Sequence, residues 1–257
     1  MANDIDIGLF SINTDHLVDA EALSTVAMAA EEAGFESVWT AEHVVLPDPQ
    51  MPPSPLPPDA ELLDPTVALG YVAAVTTRIK LATGIIILPQ RNPLVLAKEL
   101  ASVDVLSNGR MLFGVGVGYL EPEFDAIGIP MEDRGRRTTE YIEAMRSIWN
   151  DEDPAYEGDY VSFAGVKAFP RPIQPLGPPV IMGGHSVPAW RRSVTHSQGW
   201  YGFMLDPEAT SANLAGLSEA NQKYDRPSEL GQLEITVTPR MRPGSEMIER
   251  YGELGVD

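Results

Sequence analysis

Lys80-Leu-Ala-Thr-Gly-Ile-Ile-Ile-Leu-Pro-Gln-Arg-Asn-Pro-Leu-Val-Leu-Ala-Lys-Glu-Leu-Ala-Ser-Val-Asp-Val-Leu-Ser-Asn-Gly-Arg-Met-Leu-Phe-Gly-Val-Gly-Val-Gly-Tyr119 is the stretch that decides the fold. The run from Ile79 to Leu88 is apolar, rich in β-branched residues and almost free of charge, which suits a parallel strand covered on both faces. Pro89 and Pro93 punctuate a loop. Leu94 to Leu106 then places Leu96, Leu100, Val103 and Leu106 at helical spacing, with Val95 and Ala97 widening the stripe. Asn108-Gly109 stops that helix, with Gly just past its end. Met111 to Val117 is a second apolar strand. Strand, helix and strand in this order make one crossover unit, so the two strands run parallel in one sheet. The second strand ends in Gly114-Val-Gly-Val-Gly118. This is either a tight turn or a place where a ligand approaches the backbone. It is not the dinucleotide fingerprint, because Tyr119 stands where the last Gly would be.

The same alternation extends in both directions. Toward the N-terminus, Ile5 to Phe10 is expected as a strand, Asp15 to Gly34 as a helix and Phe35 to Trp39 as a strand that ends in Thr40-Ala-Glu42-His43. Residues 46–65 hold eight prolines and no regular period. The segment 46–64 is therefore expected to be a long loop, either a functional lid or a disordered excursion. Pro65 to Thr77 is a helix. Toward the C-terminus, Tyr119 to Pro130 is an irregular connection and Asp133 to Trp149 a helix. Arg134, Arg136 and Arg137 lie in that helix's first turn, where unpaired cations cost from a few tenths of a kcal/mol to about 1 kcal/mol. They either pair with Glu132, Asp133 or Glu140, or contact an anionic cofactor. Tyr156 to Phe163 reads as a hairpin. Strands at 179–182, 199–203 and 233–238 alternate with helices at 188–195, 207–224 and 245–254. Gly183-Gly184-His185-Ser186, between a strand and a helix N-terminus, is the kind of turn that cradles a phosphate. Seven strands alternating with helices mean α/β, and at this length a (β/α)8 TIM barrel with insertions is expected over an open sheet. The last strand and helix would be missing from the C-terminus of this sequence. The whole, 1–257, is expected to be a single barrel domain.

Composition narrows the function classes. The chain has 257 residues, a formal net charge of −19 and no cysteine. The acidity argues against nucleic acid and against an anionic membrane surface as partners. Without cysteine there is no disulfide framework, thiolate nucleophile or thiolate metal site. His16, His43, His185 and His196 are the only histidines and show no HxH or HExxH spacing, so no metal is expected. The N-terminus lacks a signal peptide's basic and apolar regions, and no run is long enough to span a bilayer. A cytoplasmic protein is the default expectation.

Several motifs in combination resemble the luciferase-like monooxygenase superfamily of flavin- and F420-dependent oxidoreductases. They are Ala-Gly-Phe-Glu-Ser-Val-Trp-Thr-Ala-Glu-His at 33–43, Leu-Ala-Thr-Gly-Ile at 81–85, Asn-Pro at 92–93, Leu-Ser-Asn-Gly-Arg at 106–110, Gly-Val-Gly-Val-Gly at 114–118 and Asp-Arg-Gly-Arg-Arg at 133–137. The resemblance covers essentially the whole chain. It implies a (β/α)8 barrel with a lid, and a flavin or deazaflavin across the C-terminal ends of the strands. It implies a cis peptide at Gly84–Ile85 behind the cofactor ring. His43 matches the residue placed near the reacting edge, with Glu42 orienting it or capping the loop. By the same resemblance Glu42, Gly84, Ile85, Gly116, Gly118, Arg137, Gly183, Gly184 and His185 are the cofactor-binding candidates, the last three at its phosphate. His43 and Tyr119 are the catalytic candidates. FMN enzymes of this type carry an Arg just before the last Gly of the 114–118 motif, where Val117 stands here. That departure and the Asp133–Arg137 pattern favour F420, with FMN as the alternative. Tyr119 replaces the Glu that sugar-phosphate dehydrogenases of the F420 branch use as proton donor, so sugar-phosphate oxidation by that route is not expected. The implied activity is hydride transfer between F420 and a small-molecule substrate. The alternatives are an FMNH2-dependent monooxygenase and a non-catalytic flavin- or F420-binding protein. Relatives of this kind are commonly homodimers.

Overall fold

The computed structural model describes residues 5–257. They divide into two units, one of Gly8–Pro178 and one of residues 5–7 with Pro179–Asp257. The segment Met1 to Asp4, where the absence of a signal peptide was read, lies outside the described residues.

In the larger unit the chain runs β1 (Gly8–Phe10), α1 (Ala20–Glu32), β2 (Ser37–Thr40), α2 (Pro65–Val75), β3 (Lys80–Thr83), β4 (Ile86–Ile87), α3 (Pro93–Leu106) and β5 (Met111–Gly116). β1, β2, β3 and β5 pair side by side, all parallel, and β4 also pairs parallel with β5. The helices begin where the sequence supplies an acceptor for their free N–H groups. Asp19 accepts from Ala22 N–H, Asp64 from Thr66 and Val67, and Asn92 from Leu94 and Val95. Pro65 and Pro93 occupy the first helical position, where a missing N–H costs nothing. Asn108 and Gly109 end α3 with φ of 59° and 79°. Val38, Leu69, Val72, Leu81, Leu96, Leu100, Phe113 and Val115 are buried as the core of this unit. Arg110 clips the end of α2 to the start of β3. Its guanidinium donates to the carbonyls of Ala73, Thr76, Ile79 and Ser107 and to Thr76 Oγ1. The unit continues through α4 (Glu121–Ile127), α5 (Arg134–Asn150) and the antiparallel pair β6 (Tyr156–Glu157) and β7 (Ser162–Phe163).

The smaller unit holds β8 (Val180–Gly183), α6 (Val187–His196), β9 (Gly199–Leu205), α7 (Pro207–Lys223), β10 (Glu234–Pro239) and α8 (Ser245–Glu253). β8 pairs with β9 and β9 with β10, again parallel. Trp200, Leu205, Leu217, Ile235, Tyr251 and Val256 form its core. Arg226 donates to the carbonyls of Ser193, Val194, Ser197, Leu230 and Gly231, fastening the chain after α7 to the end of α6.

Three expectations change. The single strand expected over Ile79–Leu88 is two strands, β3 and β4, separated by a cis Gly84–Ile85 peptide and followed by a 3-10 turn at Leu88–Gln90. Apart from the partly buried Lys80 and Ile85 the run is buried on both sides of the break, so its apolar character reports burial and not continuity. The helix expected over Asp15–Gly34 is interrupted at Asp19, whose side chain caps α1 after a separate 3-10 turn at Asp15–Val18. The connection Tyr119–Pro130, expected to be irregular, contains α4. That helix ends at Gly128, with φ of 77°. Among the described residues no helix is long and apolar enough to cross a membrane.

Candidate active site

His43 follows β2 by three residues and opens the long excursion between β2 and α2. Both ends of that excursion are tied. Asn13, fully buried, donates to the carbonyls of Ala41 and Leu63 at 2.9 and 2.6 Å and accepts from Ala41 N–H at 2.7 Å. Arg91 spans the same base, ion-pairing with Glu42 on one side and with Asp64 at 2.7 Å on the other. No helix or strand forms from Ala41 to Asp64 apart from one bridge between Leu62 and Thr14. The proline-rich loop is thus an excursion with a closed base.

The Glu42 carboxylate is buried and engaged by β4 and Arg91, accepting from Ile87 N–H and from the Arg91 guanidinium. Burial pushes the Glu42 carboxyl up, while the Arg91 charge and the Ile87 N–H pull against that. Asp64 is lowered: burial opposes the shift, and bonds from Thr66 and Arg91 overcome it.

The carboxylate that meets the His43 ring is Glu123, in the first turn of α4, a residue that sequence reading did not single out. Glu123 Oε2 lies 3.3 Å from His43 Nδ1, and Glu123 Oε1 accepts from Val44 N–H at 2.6 Å. Neither partner is open to solvent, with side-chain exposures of 8% for His43 and 0% for Glu123. A helix's first turn favours a carboxylate. On the far side of the imidazole, Nε2 is 3.5 Å from Tyr119 Oη, and the two rings meet edge to face at 88°. Tyr119 is 48% exposed, so its hydroxyl stands between a buried relay and solvent. Burial and the Glu123 charge push the Tyr119 pKa up, which keeps its proton on oxygen. His43 and Tyr119, the two catalytic candidates, are therefore brought together, with Glu123 behind them.

The glycines of β5 lie against the Gly84–Ile85 bulge. A Cβ on Gly114 would sit 1.8 Å from the Thr83 carbonyl oxygen, and one on Gly116 would sit 1.8 Å from Ile85 Cδ1. Gly118 has φ of +77°, and its open side is filled by Phe124 and Ile87. The close approach these glycines permit is made by the protein's own bulge and by α4. At the end of the 3-10 turn after β4, Gln90 is 8% exposed and neither atom of its amide has a partner. Its donor and acceptor are both buried and open, and the sequence carried no signal for it.

Of the three arginines opening α5, Arg136 pairs with Asp133. Arg137 lies over the Tyr160 ring, 4.4 Å from its centroid, and donates to Tyr141 Oη at 3.3 Å. Arg134 donates to the Met131 carbonyl. Glu140, expected as a partner for one of them, instead accepts the N–H groups of Asp159, Tyr160 and Val161 from the β6–β7 turn.

In the smaller unit, Gly183 ends β8, and Gly184 takes φ of +126° to turn into α6. Ser186 caps α6 without a side-chain bond, and no acidic residue stands in the first turn. Pro188 has no N–H and Trp190 N–H donates to the Ser186 carbonyl at 2.9 Å, which leaves Val187 and Ala189 as the first-turn N–H groups without an intrahelical acceptor. His185 Nε2 accepts from Phe203 N–H at 3.0 Å, so the neutral ring carries its proton on Nδ1. Burial lowers the His185 pKa, which favours that neutral form. A neutral N–H donor beside open helix N–H groups fits a phosphate.

Comparison with known proteins adds the following. The family model described as luciferase-like monooxygenase matches residues 10–248. An uncharacterized protein of Mycobacterium tuberculosis is 35% identical over 242 residues, which cover 91% of this chain and 84% of that one. An FMNH2-dependent dimethylsulfone monooxygenase of Pseudomonas fluorescens is 31% identical over 68% of this chain and 46% of its own length. An F420-dependent glucose-6-phosphate dehydrogenase of Amycolatopsis mediterranei is 32% identical over 62% of this chain and 46% of its own length. The solved structure of an F420-dependent secondary alcohol dehydrogenase, in complex with an F420-acetone adduct, superposes with a TM-score of 0.73 at 19% identity. It covers 90% of this chain and 68% of that one, and at that identity it fixes the fold alone, an α/β fold of the TIM-barrel type.

Proposed function

The chain belongs to the luciferase-like monooxygenase family, and from that premise we propose that it is an F420-dependent oxidoreductase acting on a small organic substrate. Family members include F420-dependent oxidoreductases and flavin monooxygenases. The observation that carries the choice of reaction is the line Tyr119–His43–Glu123, a built path for one proton beside a half-exposed phenol. Exchange of a hydride with a carbon–oxygen or similar polar bond needs such a partner, because the heteroatom must gain or lose a proton as the carbon gains or loses hydride. Val117, in place of the Arg of the FMN enzymes, supports the deazaflavin.

When bound, the deazaflavin supplies the site at which hydride is accepted or donated. By the family resemblance, Gly183, Gly184 and His185 would hold its phosphate. The Gly84–Ile85 bulge would back the ring; Gly116 gives that bulge the room it needs, and Gly118 gives room to Phe124 and Ile87. Glu42, with Arg91, fixes β4 behind it. Arg137 is assigned to the anionic end of the cofactor, steadied by Tyr160. Tyr119 gives or takes the substrate's proton, and His43 exchanges it with Tyr119. The loop 46–64 covers the substrate, and the chain acts as a homodimer in the cytoplasm.

Anaerobic turnover tests this proposal. The protein is supplied with reduced F420 and a panel of small carbonyl and enone acceptors, or with oxidised F420 and the matching alcohols. Loss or gain of the deazaflavin absorbance without oxygen is the expected result. Turnover that requires FMNH2 and oxygen would assign the flavin monooxygenase reaction instead.

A further inference from the structure

We propose that Glu123 is a positioning residue that fixes the tautomer of His43, and thereby sets the sense of proton transfer between His43 and Tyr119. The inference rests on the oxidoreductase function above for its purpose, but not for its geometry.

One oxygen of the Glu123 carboxylate is already committed, since Oε1 accepts from Val44 N–H at 2.6 Å. That bond holds the side chain against the backbone of the residue that follows His43. The second oxygen, Oε2, then faces His43 Nδ1 at 3.3 Å. A carboxylate only accepts, so the ring nitrogen facing it carries the hydrogen. In the neutral ring the other nitrogen, Nε2, is left with a lone pair. That lone pair is 3.5 Å from Tyr119 Oη, so the phenol is the donor and the imidazole the acceptor. Glu123 is 1% exposed, so no solvent competes for its second oxygen. The helix that carries it places Phe124 beside it, fully buried, and Phe124 anchors α4. The arrangement is a carboxylate, an imidazole and a phenol in line, the last of them reaching solvent.

The proton balance follows. When the substrate is oxidised, its hydroxyl proton passes to Tyr119 Oη as the Tyr119 proton passes to His43 Nε2. The imidazolium so formed lies against the Glu123 carboxylate. In the reducing direction both transfers reverse, and Tyr119 delivers the proton to the substrate heteroatom. The hydride, with its two electrons, is exchanged with the deazaflavin, and the relay carries only the proton. Glu123 touches neither substrate nor cofactor; it acts through His43.

Imidazole nitrogen NMR on 15N-histidine-labelled protein reads the tautomer directly, with no cofactor present. Only four histidines contribute, and a His43→Gln sample assigns the signal. The expected wild-type spectrum shows His43 with Nδ1 protonated and Nε2 unprotonated. In Glu123→Gln the side-chain carbonyl keeps the Val44 N–H bond and the amide NH2 turns to Nδ1, so the proton moves to Nε2. The kcat of that variant is expected to fall roughly ten- to hundredfold with KM within about twofold, since general acid–base terms act in the transition state. A wild-type His43 protonated on Nε2, alone or together with Nδ1, would overturn the proposal. So would an unchanged tautomer in Glu123→Gln, or a shifted tautomer with unchanged kcat. Absence of any F420 turnover by the wild type counts against the proposed reaction and leaves the tautomer result standing by itself.

Discussion

Removing the Glu31 carboxylate by Glu31→Gln should destabilise the protein near neutral pH and have almost no effect in acid. Glu31 lies in the last turn of α1, and its two oxygens accept from three successive backbone N–H groups, Thr77 at 2.9 Å, Arg78 at 2.6 Å and Ile79 at 2.8 Å. Those residues lead into β3, so one side chain sets where the strand begins. Burial pushes its pKa up, but the bonds from Ile79, Arg78 and Thr77 outweigh that and hold it at about 2. A shift of that size from the ordinary glutamate value is at most about 3 kcal/mol. The group is partly exposed, and solvent screening reduces the expected contribution to about 1–2 kcal/mol. The folded-state pKa lies below the unfolded one. The stability is therefore present in full above the ordinary glutamate range and is lost as pH falls towards about 2. Urea unfolding of wild type and Glu31→Gln at several pH values from neutral to acid reads this as a gap in midpoints that closes with falling pH. A gap that stays constant with pH, or a variant as stable as wild type at neutral pH, would refute the linkage.

Other perturbations separate the remaining contacts. Arg91→Met strands the buried Glu42 carboxylate and should cost on the order of 3–5 kcal/mol; adding Glu42→Gln should recover a good part of it, read by a double-mutant cycle in urea. Gly114→Ala forces a methyl against the Thr83 backbone carbonyl, whereas Gly116→Ala meets only the end of the Ile85 side chain. The first should cost about 3 kcal/mol and the second about 1 kcal/mol, and equal costs in urea would contradict this packing. Tyr119→Phe should lower kcat about a hundredfold and leave the thermal midpoint within a degree or two, because its ring is half exposed.

Much of the fold was legible where local chemistry marks a boundary. Asn92-Pro93 and Asn108-Gly109 bracket α3 because one end needs an acceptor and the other a left-handed backbone. The break at Gly84–Ile85 was invisible to hydrophobic pattern, since Ile79, Leu81, Ala82, Ile86, Ile87 and Leu88 are buried on both sides of it. It was marked only by the resemblance of Leu-Ala-Thr-Gly-Ile to a known family. α4 was missed because seven residues are too few for a helical period to show. Glu123 was missed with it. In Glu121-Pro-Glu-Phe-Asp an acid reads as surface charge, and only its place beside the buried Phe124 hints otherwise. Arg91 was missed for a different reason. Its partners Glu42 and Asp64 lie 49 and 27 residues away, so no local spacing connects them. His43 and Tyr119 were found separately, as residues at the ends of two strands, and their pairing across 76 residues is a product of the fold.

The choice of cofactor is tested most directly by titrating the purified protein with oxidised F420 and, separately, with FMN, following fluorescence, with Gly183→Asp as the control. Tight binding of F420, weak binding of FMN, and loss of F420 binding in a folded Gly183→Asp variant are the predicted results. Preference for FMN, or binding of neither by the folded wild type, would contradict the deazaflavin assignment.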